Sequence, residues 1–294
     1  MDGKVAVVTG AGRGLGRSHA LELARLGVRV VVNDFAAPGE ENLAGPVVDE
    51  IQADGGEAIV HEGDVADWDQ SKAMLDLAIT KWGSLDILVN NAGFLRDRMI
   101  FNMDESDWDA VIRVHLKGTF CTSRHATEYW RDQSKRSDGP VYGRLVNTTS
   151  EAGLMGGVGQ PNYAAAKGGI IQLTLSIAQA MIRYGVTANV IAPRARTRMT
   201  EPLGGFDAKD GEFEIFAPEN VSPLVAFLAS PAAERVSGQV FVVWGRDLNV
   251  LHGPGIAATM ATEDRWTADR VADALGPFFA ERTPIQQGFL LYGE

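Results

Sequence analysis

A tyrosine and a lysine in the stretch NYAAAKGG, Tyr163 and Lys167, are four positions apart. On a helix this spacing places both side chains on one face. An ammonium group beside a phenol favours the phenolate, so Lys167 is expected to lower the tyrosine pKa from about 10 toward the range of an acid/base catalyst. Ser150, at the end of a predicted strand, is placed to hold a substrate oxygen during that proton transfer. Taken alone, a Tyr-x-x-x-Lys pair is as well explained by the surface of an ordinary helix.

Three glycines, Gly10, Gly14 and Gly16, follow the first apolar run in TGAGRGLGRSHALELARLG. Glycine allows a tight turn at the end of a strand and lets backbone N–H groups approach a pyrophosphate at the positive end of a helix. A glycine trio is a weak signal by itself, but here it stands between a strand and a helix. The pattern predicts a dinucleotide site, to which Arg13 and Leu15 of the same loop also contribute.

An acidic residue, Asp34, ends the second apolar run, VVVND. A carboxylate at this place accepts hydrogen bonds from the diol of an adenine ribose, whereas a 2′-phosphate would meet a like charge. NAD is therefore favoured over NADP as the cofactor. Arg13 argues the other way, because a basic residue in the glycine loop can pair with a phosphate. The alternative interpretation of Asp34 is a turn or cap residue.

Short runs rich in Val and Ile alternate with longer amphipathic stretches, which is typical of a parallel sheet covered on both faces. The predicted strands are residues 4–10, 28–34, 57–65, 85–93, 143–150, 186–193 and 238–245. The predicted crossover helices include residues 15–26, 67–82, 104–133, 163–184 and 219–229. We predict an α/β fold, a Rossmann-type doubly wound seven-stranded parallel sheet with helices on both faces. Residues 1–250 form this one domain, and residues 251–294 form a C-terminal extension packed on it or placed at an oligomer interface.

The composition argues against several classes of protein. The chain has 294 residues, 45% of them hydrophobic and 22% charged, and lacks any apolar run of the ~20 residues that a membrane span needs. A net charge of −11 argues against nucleic acid as a partner. The single cysteine, Cys121, is expected to be a buried thiol, and no Cys/His spacing indicates a metal site. The amino terminus reads as a strand and not as a signal peptide, so the predicted location is cytoplasmic.

Taken together, these motifs resemble those of the classical short-chain dehydrogenases/reductases. The resemblance covers about residues 3 to 247 and is carried by TGAGRGLG (9–16), GDV (63–65), NNAG (90–93), Ser150, YAAAK (163–167) and IAPRARTRMT (191–200). It implies an NAD-dependent oxidoreductase that interconverts a secondary alcohol and a ketone. A hydride would move between the nicotinamide and a substrate carbon, while Tyr163 handles the proton on oxygen.

The resemblance also assigns cofactor contacts along the whole cleft. At the adenine ring these are Asp64 and Val65. In the middle of the cleft they are Asn91, Ala92 and Gly93, and at the nicotinamide end they are Tyr163, Lys167, Pro193 and Thr197.

Two positions depart from the common family pattern. His115 stands where most classical members have a catalytic asparagine, and Arg194 stands where a glycine usually follows the proline. His115 either hydrogen-bonds a relay water toward Lys167 or is a packed helix residue without a catalytic part. The surrounding stretches, such as NNAGFLRDRMI and VIRVHLKGTF, are similar to the dehydrogenase module of peroxisomal multifunctional enzyme type 2 and its bacterial relatives. Members of that group oxidise (3R)-hydroxyacyl-CoA thioesters with NAD, some with steroid-derived acyl chains.

Five arginines flank the predicted mouth of the site. They are Arg96, Arg98, Arg194, Arg196 and Arg198. Arginine pairs well with phosphate, so these side chains suit an anionic carrier such as coenzyme A, but pairing with nearby carboxylates explains them equally well. The substrate loop, about residues 194–218, contains Phe206, Phe213 and Phe216, which either cover a substrate as a lid or pack on the sheet.

Three functions stay open. The first is an NAD-dependent dehydrogenase of hydroxyacyl-CoA thioesters or steroids, and the second is a 3-oxoacyl-carrier-protein reductase or a small secondary alcohol dehydrogenase. The third is a non-catalytic dinucleotide sensor, against which an intact set of Ser150, Tyr163 and Lys167 argues. The family leads us to expect a homodimer or homotetramer formed through the helices near 104–133 and 163–184, although their apolar stripes could equally pack on the sheet.

Overall fold

The computed structural model describes residues 1–36, 39–196 and 213–280. One sheet is formed by β1 (Val5–Val8), β2 (Arg29–Asp34), β3 (Ala58–Glu62), β4 (Ile87–Asn90), β5 (Gly143–Thr148), β6 (Val186–Pro193), β7 (Val240–Trp244) and β8 (Asp247–Val250). The α-helices are α1 (Gly14–Arg25), α2 (Ala44–Ala53), α3 (Trp68–Trp82), α4 (Glu105–Ile112), α5 (Gly118–Ser137), α6 (Glu151–Met155), α7 (Pro161–Met181), α8 (Ser222–Ala229) and α9 (Ala268–Ala280). A π-helical segment, Arg113–Lys117, joins α4 to α5.

The sheet has the order β3-β2-β1-β4-β5-β6-β7-β8, and its first seven strands pair in parallel. The chain builds outward from β1 to β3 and then returns to β4 on the other side of β1. Ligands of doubly wound sheets bind at such a reversal, beyond the carboxyl ends of the strands. The predicted α/β class and the seven predicted parallel strands are confirmed.

Alternating side chains of β1 enter two different cores. Ala6 and Val8 pack with residues of α1, α2 and α8, whereas Val5 and Val7 pack with residues of α3, α5 and α7. A strand buried on both faces reads as a continuous apolar run, which is how VAVV appears in the sequence. The two layers fix the carboxyl ends of the strands, where the polar residues of the site begin.

An eighth strand, which the sequence analysis did not include, pairs antiparallel with β7. The two strands are joined by Gly245 and Arg246, and Gly245 has a φ of +50°. A glycine at the first position of a two-residue hairpin loop is typical of a type II′ turn. The signal WGRD was therefore present in the sequence, but β8 has exposed residues and lacks the apolar run that marked the other strands.

The C-terminal extension is described as far as residue 280, and none of the residues of α9 is buried. In the single chain, α9 therefore gives no support to the alternative in which the extension packs on the domain of residues 1–250. The predicted substrate loop is described only at its two ends, where the Arg196 N–H donates to the carbonyl of Phe216 at 2.7 Å. Thr197, Arg198 and Phe206 lie outside the described residues. Cys121 is buried, as predicted.

Candidate active site

The turn between β1 and α1 requires glycine at its closest approaches. Gly10 and Gly14 have φ angles of +60° and +53°. A Cβ on Gly10 would lie 2.7 Å from the Cα of Ala92, and one on Gly16 would lie 2.2 Å from the Gly10 carbonyl oxygen. Arg13, the N-cap of α1, makes no side-chain cap hydrogen bond within the described chain. The first N–H groups of α1 therefore remain free of a side-chain cap, as an anion site at a helix terminus needs.

The carboxylate of Asp34 is fixed against this turn. Its Oδ2 accepts a hydrogen bond from the Gly12 N–H at 2.9 Å, and its Oδ1 accepts one from the Phe35 N–H at 2.8 Å. A Cβ on Gly12 would lie 2.2 Å from Oδ2, so this contact also requires glycine. Each carboxylate oxygen keeps a further lone pair for a ligand. Asp34 therefore has a local structural role in addition to the predicted one.

Asp64, which follows β3, forms an ion pair with Arg113 at 2.6 Å across the cleft. The other carboxylate oxygen of Asp64 accepts the Ala66 N–H at 2.8 Å. Val65, between them, is buried. Arg113 opens the π-helical segment and was not among the residues predicted to form the site.

The carboxyl end of β4 is bound to the end of β1. The Asn91 side-chain amide donates to the carbonyls of Thr9 and Gly10 at 3.1 and 3.0 Å. The backbone N–H groups of Asn91 and Ala92 both donate to the Thr9 hydroxyl, at 3.0 and 3.2 Å. This network closes the bottom of the cleft between the two strands at which the sheet order reverses.

His115 is buried beneath the Gly93 turn. Its Nε2 lies 2.7 Å from the carbonyl oxygen and 3.0 Å from the amide nitrogen of Phe94, and a Cβ on Gly93 would lie 2.0 Å from its Cε1. Its Nδ1 is buried and has no hydrogen-bond partner among the described residues. Burial, helped by the charge of Lys167, lowers the pKa of His115 from 6.5 to about 3. The imidazole is therefore neutral at physiological pH.

Ser150 is the N-cap of the short helix α6, and its hydroxyl accepts the Ala152 N–H at 3.3 Å. The preceding residue, Thr149, is held by two hydrogen bonds. Its N–H donates to the Ile191 carbonyl at 2.7 Å, and its hydroxyl donates to the Lys167 carbonyl at 2.7 Å. The serine is thus held between β6 and α7. A hydrogen bond joins its side chain to that of Tyr163.

Tyr163 and Lys167 lie on the same face of α7, as predicted, but their pKa values differ from the expectation. Burial raises the pKa of Tyr163 to about 12, and the hydrogen bond with Ser150 opposes this rise while the charge of Asp97 adds to it. Burial lowers the pKa of Lys167 from 10.5 to about 7. The Lys167 amine donates to the Thr148 carbonyl at 2.8 Å and lies 5.5 Å from the centre of the tyrosine ring. Desolvation therefore outweighs the expected lowering of the tyrosine pKa by the lysine.

These residues line one cleft of about 620 Å³, a volume within the range of small-molecule sites. Of the residues predicted from the sequence, the cleft is lined by Gly10, Arg13, Gly14, Leu15, Asp34, Asp64, Val65, Asn91, Ala92, Gly93, His115, Ser150, Tyr163, Lys167 and Pro193. Gly16, in the first turn of α1, does not line the cleft, and Thr197 is outside the described residues.

The cleft also contains residues that the sequence analysis missed. They are Asn33, Phe35, Gly63, Phe94, Ala110, Arg113, Val114, Thr148, Thr149 and Ala195. Most of these lie within two positions of a predicted site residue at a strand end, so their place in the cleft follows from that of their neighbours. Ala110, Arg113 and Val114 are different, because their place depends on the helical segment that crosses the cleft.

The arginines at the mouth have different partners. Arg194 forms an ion pair with Glu151 through two hydrogen bonds, and Arg196 forms an ion pair with Glu214 through one. Arg98 is 3.8 Å from Asp107, while the guanidinium of Arg96 lies over the ring of Phe94. The pairing alternative therefore holds for Arg98, Arg194 and Arg196. Arg96 is exposed and remains accessible to an anion.

A metal ion is not indicated within the described ranges, where no group of three or more His, Cys, Asp or Glu side chains could hold one. None of the helices in those ranges combines the length and the apolar character that a membrane crossing requires. The residues of the cleft do fit a dinucleotide. Glycines leave room at the end of β1, α1 presents an N-terminus without a side-chain cap, and a carboxylate stands at the end of β2.

Comparisons with known proteins agree with this geometry. The sequence model of a protein family described as short chain dehydrogenase matches residues 4–205. The hydroxyacyl-CoA dehydrogenase ChsB1 of Mycobacterium tuberculosis is 50% identical, with 97% of this chain and 92% of that protein covered. Peroxisomal multifunctional enzyme type 2 of Drosophila melanogaster is 39% identical over 92% of this chain but only 44% of its own length. The crystal structure of a short chain dehydrogenase from Mycobacterium avium has a TM-score of 0.87 at 46% identity, covering 97% of this chain and 98% of that one.

The resemblance to multifunctional enzyme type 2 and its bacterial relatives is thereby confirmed. The family unites a glycine turn, a nicotinamide dinucleotide cleft and an oxidoreductase activity, and the structure has the cleft and the turn in the predicted places. The family model matches most of the chain, and one relative shares half of its residues. This chain therefore belongs to the short-chain dehydrogenase family, and it is an oxidoreductase.

Proposed function

We propose that the chain is an NAD-dependent dehydrogenase that interconverts the 3-hydroxyl and 3-keto forms of an acyl-CoA thioester. The observation that carries this proposal is the convergence of Ser150, Tyr163 and Lys167 in the same cleft as Asp34 and the glycine turn. A cleft that only bound the dinucleotide would not need a tyrosine, a serine and a buried lysine together at one end. The 50% identity to a hydroxyacyl-CoA dehydrogenase supports the substrate class.

The proton of the reacting hydroxyl is handled by Tyr163. NAD, when bound, supplies the nicotinamide that accepts the hydride from the substrate carbon. Tyr163 takes the hydroxyl proton as a phenolate in the oxidation and returns it as a phenol in the reduction. Ser150, hydrogen-bonded to Tyr163, is placed to donate to the same substrate oxygen and to hold it in line. A tyrosine with a raised pKa is mostly protonated at neutral pH, so the oxidation gains from alkaline conditions.

Lys167 supports Tyr163 by position and by charge. Its amine is held at the end of β5 by the Thr148 carbonyl, and with a pKa of about 7 it gains and loses a proton near neutrality. In our proposal it passes protons between solvent and the tyrosine. His115 stays neutral, fixes the Phe94 backbone, and contacts Tyr163 edge to face at 5.2 Å between ring centres. We therefore assign His115 a positioning role toward Tyr163.

The choice of NAD over NADP rests on Asp34. Its carboxylate is held at the glycine turn by two backbone N–H groups, and a 2′-phosphate placed there would meet its charge. Arg13 is exposed in the same turn, but it lies on the loop and not at the end of β2. The other predicted cofactor contacts, from Asp64 to Pro193, line the cleft that continues from Asp34 to Tyr163.

Apolar side chains beside the mouth suit a bulky acyl group. Met99, Ile100 and Phe101 are exposed, and so are Met155 at the end of α6 and Val158 on the loop that follows it. The two loops are joined by a hydrogen bond from the Arg98 N–H to the Gly159 carbonyl at 2.8 Å. A steroid-derived acyl chain could lie on this surface, while the exposed Arg96 is available to a phosphate of coenzyme A.

The experiment is a substrate and cofactor panel with the purified chain. Reduced cofactor is followed by its absorbance, using NAD or NADP with (3R)- and (3S)-hydroxyacyl-CoA thioesters, the matching acyl-carrier-protein thioesters, hydroxysteroids and simple secondary alcohols. We expect turnover with NAD and one 3-hydroxyacyl-CoA enantiomer. Preference for the carrier-protein thioester would favour the reductase alternative. Binding of NAD without turnover of any alcohol would favour the sensor.

The cytoplasmic location, the dimer or tetramer, and the division into residues 1–250 and 251–294 stay predictions. The exposed apolar residues of α9, Val271, Leu275 and Phe279, are compatible with a place at an oligomer interface. Size-exclusion chromatography with light scattering on the full chain and on a chain ending at residue 250 would test that assignment.

A further inference from the structure

Three consecutive strand ends meet at one ion pair beside Ser150. Glu151, the first residue of α6, is almost fully buried, with 4% of its side chain exposed. Arg194 follows β6 and donates to both carboxylate oxygens of Glu151, from Nε at 2.5 Å and from Nη2 at 2.6 Å. A bidentate pair between a guanidinium and a carboxylate is the geometrically most specific of the charge-assisted hydrogen bonds.

The same guanidinium also contacts the end of β7. Its central carbon lies 4.0 Å from the centre of the Trp244 ring, and the Arg194 backbone N–H donates to the Val243 carbonyl at 3.0 Å. A flat guanidinium that stacks on an aromatic ring and forks onto a carboxylate has little freedom left. The Arg194 side chain therefore joins the turns that follow β5, β6 and β7.

This link matters because α6 cannot hold Ser150 in place by its own helical hydrogen bonds. The helix has only five residues, which is too short for stability by itself, and the cap bond from the Ala152 N–H to the Ser150 hydroxyl is long at 3.3 Å. On one side α6 packs closely on α7, where a Cβ on Gly153 would lie 2.6 Å from the backbone of Lys167. On the other side it is held by Glu151.

Resting on the proposed function, we propose that Arg194 is a positioning residue that fixes the Ser150 hydroxyl relative to Tyr163 through Glu151. Ser150 touches the reacting oxygen, whereas Arg194 acts on it through the first turn of α6. This role explains why Arg194 follows Pro193 in this chain, where the family pattern has a glycine. A glycine there would offer no side chain to the buried carboxylate, so Glu151 and Arg194 are expected to depend on each other.

The test is a double-mutant cycle between Arg194 and Ser150. Arg194→Met is expected to lower kcat about 10-fold to 100-fold, the cost of a misplaced catalytic group, with the Kd for NAD changed less than about twofold. In a Ser150→Ala background the same substitution should have almost no further effect on kcat. An equal loss of kcat in both backgrounds, or no loss in either, would overturn the proposal.

Two further variants separate positioning from general damage. Glu151→Gln combined with Arg194→Met removes the buried carboxylate charge together with the guanidinium that pairs with it, and kcat should recover part of the loss seen in Arg194→Met alone. Arg194→Lys keeps the charge without the fork, and its kcat should lie between those of the wild type and the Met variant. The matched control is Arg29→Met, which breaks an ion pair with Glu57 at the opposite edge of the sheet and should leave kcat unchanged.

A second readout does not require turnover. Amide hydrogen exchange of residues 150–153 should be faster in Arg194→Met than in the wild type, while exchange in β1 and β4 stays the same. If no 3-hydroxyacyl-CoA is turned over but this local exchange still increases, the proposed function fails and the positional link stands. If exchange is unchanged while the wild type is active, the link itself is contradicted.

Discussion

The side-chain amine of Lys167 donates a hydrogen bond to the backbone carbonyl of Thr148 at 2.8 Å. This bond connects the face of α7 that carries Tyr163 to the last residue of β5, two positions before Ser150. Lys167 is almost fully buried, with 3% of its surface exposed. The lysine, the serine and the tyrosine therefore lie together where α7 meets the end of β5, and several measurable properties depend on this corner.

Stability should increase from pH 7 to pH 9 because of Lys167. Burial lowers its pKa to about 7, so between pH 7 and 10.5 the unfolded chain binds more protons than the folded one. The free-energy cost of burying the Lys167 amine is largest at and below pH 7 and disappears above pH 10.5. Between pH 7 and pH 9 the wild type should gain about 2 kcal/mol that Lys167→Met does not gain. Urea unfolding of both proteins at the two pH values measures this, and an equal pH dependence would refute it.

Acid should destabilise the chain in part through His115. Its pKa is lowered to about 3, so between pH 3 and 6.5 the unfolded chain binds a proton that the folded chain does not, and stability falls as the pH drops through that window. Between pH 7 and pH 5 the wild type should lose about 2 kcal/mol more than His115→Asn. Because the imidazole stays neutral, the pH profile of kcat/KM should show no ionisation near pH 6.5 that can be assigned to His115. An ionisation near pH 6.5 that is present in the wild type and absent from His115→Asn would contradict the positioning role.

Two neighbours of Tyr163 should move the pH dependence of oxidation in opposite directions. The Ser150 hydrogen bond lowers the pKa of Tyr163 and the charge of Asp97 raises it. Oxidation requires the phenolate, so its kcat/KM should rise with pH through that pKa. Asp97→Asn should shift the rise to lower pH, and Ser150→Ala should shift it to higher pH. The exposed Asp109 provides a control, Asp109→Asn, whose profile should match that of the wild type; shifts of the same sign would refute the assignment.

Asp34 should control the choice of cofactor by its charge. Asp34→Asn keeps an oxygen that can accept the Gly12 N–H, which is 2.9 Å from Oδ2, but removes the charge that repels a 2′-phosphate. We expect the ratio of kcat/KM for NAD to that for NADP to fall by about 10-fold or more. Steady-state kinetics with both cofactors gives the ratio directly. A ratio that stays the same would show that Asp34 serves only the turn.

Gly16 should be intolerant of a side chain for a reason that is local to the cofactor turn. Its Cβ would lie 2.2 Å from a backbone oxygen, which cannot move away as a flexible side chain could. Gly16→Ala is expected to raise the Kd for NAD by about 10-fold or more, as measured by calorimetry, because the end of β1 must shift. Gly45 in α2 has no atom within 4 Å of its would-be Cβ. Gly45→Ala should therefore leave Kd unchanged and stabilise the chain by up to about 1 kcal/mol.

The sequence predicted the central part of the fold because parallel strands buried on both faces are long apolar runs. All seven such runs became strands. The glycine turn was recognisable because backbone clashes require glycine at positions 10 and 16 and a positive φ favours it at position 14. The eighth strand escaped because β8 is exposed and has no apolar pattern. Its only signal was the glycine of a two-residue turn.

The convergence of the proposed catalytic residues in one cleft was also predictable, but their electrostatics were not. Their spacing predicted that Tyr163 and Lys167 share one face of a helix, and both lie on one face of α7. The sign of the tyrosine pKa shift depends on how deeply the pair is buried, which one sequence does not reveal. Arg113 and the Arg194–Glu151 pair were missed for a similar reason, since each joins residues far apart in the chain.

The most direct test of the central claim is the effect of Tyr163→Phe on turnover and on cofactor binding. The change removes one hydroxyl from a partly buried side chain and leaves the glycine turn and Asp34 untouched. We predict that kcat with NAD and the 3-hydroxyacyl-CoA substrate falls about 100-fold to 10,000-fold while the Kd for NAD stays within about twofold of the wild type. Turnover within about tenfold of the wild type, with binding intact, would contradict the assignment of Tyr163 as the catalytic acid and base.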